Sequence, residues 1–184
     1  PLPVGVVTAI ATGAFCGLCS GTFIAKMKIP PFIATLGMML ILKGLSLVIS
    51  GTRPIYFNDT PGFDLISRGS LIGEIIPAVP IPNGVLILFI VAIAASYVLS
   101  NTVLGRYTFA LGSNEEAVRL SGVNTDRWKM AVYALAGGIG GIGGLLIASR
   151  LNSAQPALGL GYELEAIAAV VIGGTSLSGG RGTI

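Results

Sequence analysis

An all-α, polytopic transmembrane helix bundle is the fold class this sequence predicts, and three observations predict it. Hydrophobic residues fill 53% of 184 positions and charged residues only 10%, with a mean hydropathy of +0.85, far from the balance of a soluble domain. The apolar residues fall into blocks long enough to cross ~30 Å of hydrocarbon, which takes about 20 helical residues. The cations gather mostly at block ends, where they set topology.

Four blocks are spans. Residues 2–25 carry no charge, 32–49 carry only Lys43, and 84–103 and 130–149 carry none. A further segment, 163–178, is apolar mainly from 166 to 174. It suits a short span, a re-entrant segment or a broken helix lining a cavity, and the residues leave the three open. The first residue is not Met and the last residues are glycine-rich, so the chain reads as a fragment of a longer protein. No cleavable signal is read in 2–25, because it lacks a basic region ahead of it and its lysines follow it.

Lys26 and Lys28 follow the first block, and Arg106, Arg119, Arg127 and Lys129 lie between the third and fourth. Two crossings separate these groups, so both fit the cytoplasmic side, leaving Arg53, Arg68 and Arg150 outside, as the positive-inside rule expects. Residues 51–83 then form a periplasmic loop and 105–129 a cytoplasmic one. Gly51 suits a helix stop, and Pro54, Pro61, Pro77, Pro80 and Pro82 suit an ordered outer loop. Within it, apolar residues among charges over 63–76 suit a short helix lying against the membrane.

Several motifs take structural readings. Cys16 and Cys19 form a C-x-x-C inside an apolar helix with no nearby cation to stabilise a thiolate, so they pack as small residues. With no His in the chain, metal binding is not expected, and neither a cofactor nor nucleic acid enters the reading. Gly13, Gly17 and Gly21 share one helical face, as do Gly137 with Gly141 and Gly140 with Gly144. In lipid, small residues permit the close backbone approach that supplies van der Waals attraction, so these are expected to be helix-contact faces buried in the bundle. Gly138, Gly140 and Gly143 match G-x-G-x-x-G, but they interrupt an apolar block with no strand before it. Gly174 to Gly179 is followed by Gly180 where a phosphate-binding loop needs Lys. Lys43 is different: a lone charge in a span costs about 2.5 to 3.5 kcal/mol on insertion scales, partly relieved by snorkelling. A role for it in a pathway requires a partner that the residues do not identify.

The polar island at 105–129 carries a short helix of its own. Ser113 and Glu116 have capping-box spacing, Glu115 and Arg119 the favoured spacing of a helical ion pair, and Gly122 suits a left-handed stop. A helix over 114–122 is too short to persist alone in water and needs a surface to dock on. Held between two spans, it suits a lever that passes force from a soluble partner into the membrane.

The residues around it carry a resemblance. GRYTFALGSNEEAVRLSG at 105–122, ASRLNSAQPALGLGYELEAIAAVVIGGTSLSGGRG at 148–182 and PPFIATLGMMLILKG at 30–44 cover more than a third of the chain. Together they resemble, in the same order, permeases of sugar ABC transporters, within the superfamily that includes branched-chain amino acid permeases, and most of all the ribose permease group. The resemblance implies a multi-pass permease of the bacterial inner membrane that forms a homodimer in membrane lipid. It implies a cytoplasmic ATP-binding subunit and a periplasmic sugar-binding protein as partners, no catalysis by the permease itself, and further spans outside this chain. By position it makes 114–122 a coupling helix, with Asn114, Glu115, Glu116, Arg119 and Gly122 facing or supporting the ATPase contact. A sugar needs hydrogen-bonding groups at membrane depth. Asn152, Ser153, Gln155, Glu163, Glu165, Thr175 and Ser176 flank or interrupt the fifth segment and are the candidate pathway residues. The plainer alternative is a turn before Pro156, with Glu163 and Glu165 as helix N-terminal carboxylates. Three other functions stay open at this point: a permease for branched-chain amino acids or another small solute, an intramembrane enzyme using Glu163 and Glu165, and a purely structural subunit.

Overall fold

A computed structural model describes residues 2–75, 81–176 and 179–182. Pro77 and Pro80 of the loop, and residues 177–178 of the fifth segment, lie outside the described residues.

Among the described residues, four helices are long and apolar enough to cross a membrane: α1 (Leu2–Lys26), α2 (Pro31–Ile49), α5 (Asn83–Asn101) and α7 (Thr125–Leu151). Between them lie β1 (Ile55–Tyr56), α3 (Leu65–Arg68), α4 (Leu71–Ile75), α6 (Val103–Leu120), β2 (Ser153–Ala154) and α8 (Tyr162–Ile172). The architecture is the expected all-α polytopic bundle, with one two-residue antiparallel ladder pairing Ile55 with Ala154 and Tyr56 with Ser153.

Local chemistry sets the helix ends. Pro31 occupies the first turn of α2, where its missing N–H breaks no helical bond. Gly51 (φ +59) closes α2, with Thr52 N donating to Leu47 O at 2.9 Å in the six-to-one bond of a Schellman stop. Asn152 (φ +49) does the same for α7 as a left-handed C-cap. Asn124 starts α7, its Oδ1 accepting from Arg127 N at 3.1 Å, so the fourth span extends below residue 130 to Thr125. The charges of Asp126, Arg127 and Lys129 had masked that first turn.

The glycine faces meet as one antiparallel seam. A methyl built on Gly13 would lie 3.0 Å from Gly141 Cα, on Gly17 3.1 Å from Gly137 Cα, and on Gly21 3.0 Å from Met130 Cα. No side chain larger than hydrogen fits there without parting the backbones. The second expected face behaves otherwise. Gly140 and Gly144 have nothing within 4 Å of such a methyl. They line, with Thr8, Thr12 and Thr35, a cavity of about 830 Å³ among α1, α2 and α7.

The ladder end is tied down by Ser149, which is fully buried in α7. Its hydroxyl donates to Phe63 O at 2.7 Å and accepts from Ser67 N at 3.0 Å. Asn83 fixes the start of α5 to the same loop, its Nδ2 donating to Leu65 O at 3.0 Å and its Oδ1 accepting from Leu71 N at 2.9 Å. Among its described residues the loop carries two short helices, α3 and α4, where one was anticipated.

Candidate functional site

Residues 103–113 are helical, where the sequence suggested only a polar connector. Thr102 caps this stretch through Oγ1, accepting from Gly105 N at 3.4 Å, and Tyr107 packs on Trp128 of α7 with ring centroids 4.7 Å apart. Asn114 (φ −159°, ψ 96°) then leaves helical geometry and kinks α6.

Beyond the kink, residues 115–120 form the short helix. Its cap is Asn114, whose Oδ1 accepts from Ala117 N at 3.0 Å. The Ser113–Glu116 capping box does not form, because the N-cap falls one residue later and Ser113 stays in the preceding helix. Glu116 instead pairs with Arg119 at 2.7 Å, while Glu115 reaches across to Lys129 of α7 at 2.6 Å. The expected Glu115–Arg119 pair is replaced by these two. Gly122 (φ +84) takes the anticipated left-handed conformation after the helix.

The helix has an inner and an outer face. Val118 is buried. Leu120 is 80% exposed and points the other way. Sequence reasoning passed over Leu120; its signal was a large apolar residue at the last turn of an otherwise charged helix. Glu115, Glu116, Arg119, Lys26, Lys28 and Lys129 line one cleft of about 800 Å³. The first and third basic groups thus share one end of the bundle, opposite the ladder.

The root of the short helix touches the glycine segment that follows α8. A methyl on Gly112 would run into the backbone N of Gly180, and one on Gly180 would lie 3.0 Å from Ser113 Cα. Gly179 (φ +84) and Gly180 (φ +75) turn the chain there, and Ser176 N donates to Arg181 O at 3.0 Å across the turn.

The candidate pathway residues separate into four places. Asn152 and Ser153 belong to the ladder end: Asn152 Nδ2 donates to Asn58 Oδ1 at 3.5 Å, and Ser153 is 2% exposed within β2. Gln155 and Glu163 line a cleft of about 570 Å³ beside α2, together with Lys43 and Ser46. Glu163 Oε2 accepts from Gly161 N at 3.1 Å, which fixes the carboxylate at the start of α8. Glu165 is exposed and lies outside that lining. Thr175 and Ser176 sit in the glycine turn, where a methyl on Gly182 would meet Thr175 Cγ2 at 2.8 Å. The helix α8 has 11 residues, about 16 Å, roughly half the hydrocarbon thickness. The segment that begins beside the ladder therefore ends, through glycines, against the root of the short helix.

A family model described as branched-chain amino acid transport system / permease component matches residues 1–181. The ribose import permease protein RbsC of Escherichia coli (strain K12) is 46% identical over 98% of this chain and 55% of its own length. The protein of the same name from Bacillus subtilis (strain 168) is 45% identical over 90% of this chain and 49% of its own length. The galactose/methyl galactoside import permease protein MglC of Escherichia coli (strain K12) is 38% identical over all of this chain and 54% of its own length. The chain thus spans about half the length of these curated relatives. No solved structure matches it. With the family model covering nearly every residue and four helices fit to cross a bilayer, the chain is a multi-pass membrane protein and belongs to the branched-chain amino acid transport system permease component family.

Proposed function

We propose that this chain is part of the membrane-spanning permease of an ATP-driven ABC importer for a monosaccharide such as ribose. In this reading residues 114–122 are the coupling helix that meets a separate cytoplasmic ATPase. The basic end is cytoplasmic, the ladder end periplasmic, and the membrane is the bacterial inner membrane. A periplasmic sugar-binding protein delivers the solute at the ladder end, and a second permease copy completes the transporter. ATP chemistry belongs to the ATPase.

The single observation that carries the reading is the build of the short helix. Val118 anchors it inward, Leu120 and the Glu116–Arg119 pair face outward, and its root abuts the glycine turn that follows α8. An exposed leucine beside exposed charges is the composition of a docking tip: the apolar side chain gains by entering a groove while the charges orient it. Support for a sugar comes from the relatives, named as ribose and galactose import permeases. A second reading, a permease for branched-chain amino acids, draws on the family description and on Lys43 and Glu163 lining one cleft, since a zwitterion carries complementary charges.

The test uses the full-length parent permease with its ATPase. Leu120→Asp and Arg119→Glu are each expected to weaken co-purification by tenfold or more, roughly the loss for one interface anchor, while leaving the permease monodisperse. Competition of labelled ribose uptake by unlabelled leucine separates the two substrates. Full ATPase binding and full uptake in both variants would sink the coupling-helix assignment.

A further inference from the structure

Lys43 lies well inside α2, away from the span ends where Lys26, Arg127, Lys129 and Arg150 sit, and the fold gives it company that the sequence did not reveal. It lies six residues before the end of α2, about 9 Å below the ladder end. Its ammonium makes no ion pair or side-chain hydrogen bond among the described residues. Its side chain is half-buried and lines the cleft that also holds Gln155 and Glu163.

The donors and acceptors in this cleft are complementary and kept apart. Lys43 offers three N–H donors and no acceptor, and an ionised Glu163 offers only acceptors. Glu163 is held by Gly161 N–H through Oε2, which leaves Oε1 unengaged. Gln155 spends Nε2 on Ser153 Oγ at 3.4 Å and retains its carbonyl oxygen. Ser46 donates to Lys43 O at 2.8 Å, so its hydroxyl proton is spoken for. Ile49, Ile55 and Leu160 wall the rest. A cleft of about 570 Å³ falls in the range of small-molecule sites, about 300–1,000 Å³, and an apolar wall with a few fixed polar groups is their usual construction.

A hydroxyl both donates and accepts, so a polyol accepts from Lys43 through one oxygen and donates to Glu163 through another. The cleft also adjoins two other hollows. Gln155, Leu158 and Gly159 line a smaller pocket of about 290 Å³ shared with Gly144 and Ala148, which in turn line the cavity among α1, α2 and α7. The polar groups therefore stand beside mostly apolar hollows between the helices.

From this arrangement we infer that Lys43, Gln155 and Glu163 form a subsite that binds a neutral, polyhydroxylated solute as it enters the bundle from the ladder end. The inference rests on the importer reading and adds to it a residue, Lys43, with a defined role as hydrogen-bond donor to the solute.

The experiment is ribose uptake by the full-length transporter, reconstituted with its ATPase and binding protein, comparing wild type, Lys43→Met, Lys43→Arg and Glu163→Gln. Lys43→Met is expected to raise the KM for transport roughly tenfold, the effect of losing one charged hydrogen bond, with ATPase co-purification unchanged. Lys43→Arg, which keeps a donor cation, is expected to stay within about threefold of wild type. A singly deoxygenated ribose series adds a readout that a merely structural lysine would not move. One deoxy analogue that wild type transports poorly should lose that handicap in Lys43→Met, because the missing hydroxyl no longer has its donor. Wild-type uptake with unaltered KM and unaltered deoxy-sugar discrimination in Lys43→Met overturns the inference alone. A wild-type transporter that carries no monosaccharide, or that leucine saturates, overturns the importer reading and the polyol subsite together.

Discussion

Glycine meets glycine at two places among the described residues, and the two contacts differ in kind. The seam between α1 and α7 runs over several turns, from Gly13 on Gly141 to Gly21 on Met130, with both backbones in regular helix. The junction of Gly112 with Gly179 and Gly180 is a single point where a turn with φ values of +84 and +75 presses on a helix just before its kink. Repeated contact along two rigid rods fixes their register and angle, because shifting one rod would break every contact at once. A single contact constrains one distance and leaves both partners free to pivot. The seam suits a scaffold; the junction suits transmission between the short helix and the segment that carries Glu163.

Breaking the seam should have the largest effect. Gly17→Leu drives a side chain into the Tyr133 and Gly137 backbone, and overpacking of this kind costs about 3 kcal/mol or more. The expected outcome is a marked fall in the melting temperature of the full-length permease, or its loss from the membrane fraction. A stable, monodisperse Gly17→Leu protein would remove the seam as the scaffold.

Gly112→Ala sharpens the contrast, since its methyl meets the Gly180 backbone without touching the seam. Uptake is expected to drop roughly tenfold, a coupling change of the order of 1–2 kcal/mol, while melting temperature and ATPase co-purification stay near wild type. Equal losses of stability and uptake would make the junction a packing contact and nothing more.

Gly140→Ala closes the series at the small end. Its methyl has nothing within 4 Å, so stability should stay within about 0.5 kcal/mol of wild type, or rise slightly from better helix propensity. A large loss would mean that this face is covered in the assembled transporter.

The same comparison shows what could be read from the residues. Four spans were legible because hydrocarbon thickness imposes a length that composition reveals directly. Both glycine faces of α7 were legible as periodicity, but periodicity along one helix does not say which face meets a partner. Gly137 and Gly141 meet α1, and Gly140 and Gly144 border a cavity. The short helix was found, but its start was misplaced by one residue. Ser113 and Asn114 are both good caps, and the choice between them fell to the kink and to Lys129, which draws Glu115 toward α7. The helix at 103–113 was missed because Gly105 and Gly112 argue against helix locally, while the Tyr107–Trp128 contact that supports it is tertiary. Lys43 and Glu163 stand 120 positions apart in the chain, so no local pattern could have joined them.

The hydroxyl of Ser149 has a mechanical corollary. Because it both donates to Phe63 and accepts from Ser67, the cap formed by this loop is bolted to the far end of α7, and the two must swing as one boom. α7 is 27 residues, about 40 Å, so a tilt of roughly five degrees about its Thr125 end sweeps the cap by some 3–4 Å. A displacement of that size at the ladder end would reach whatever rests there even if the surface itself kept its shape.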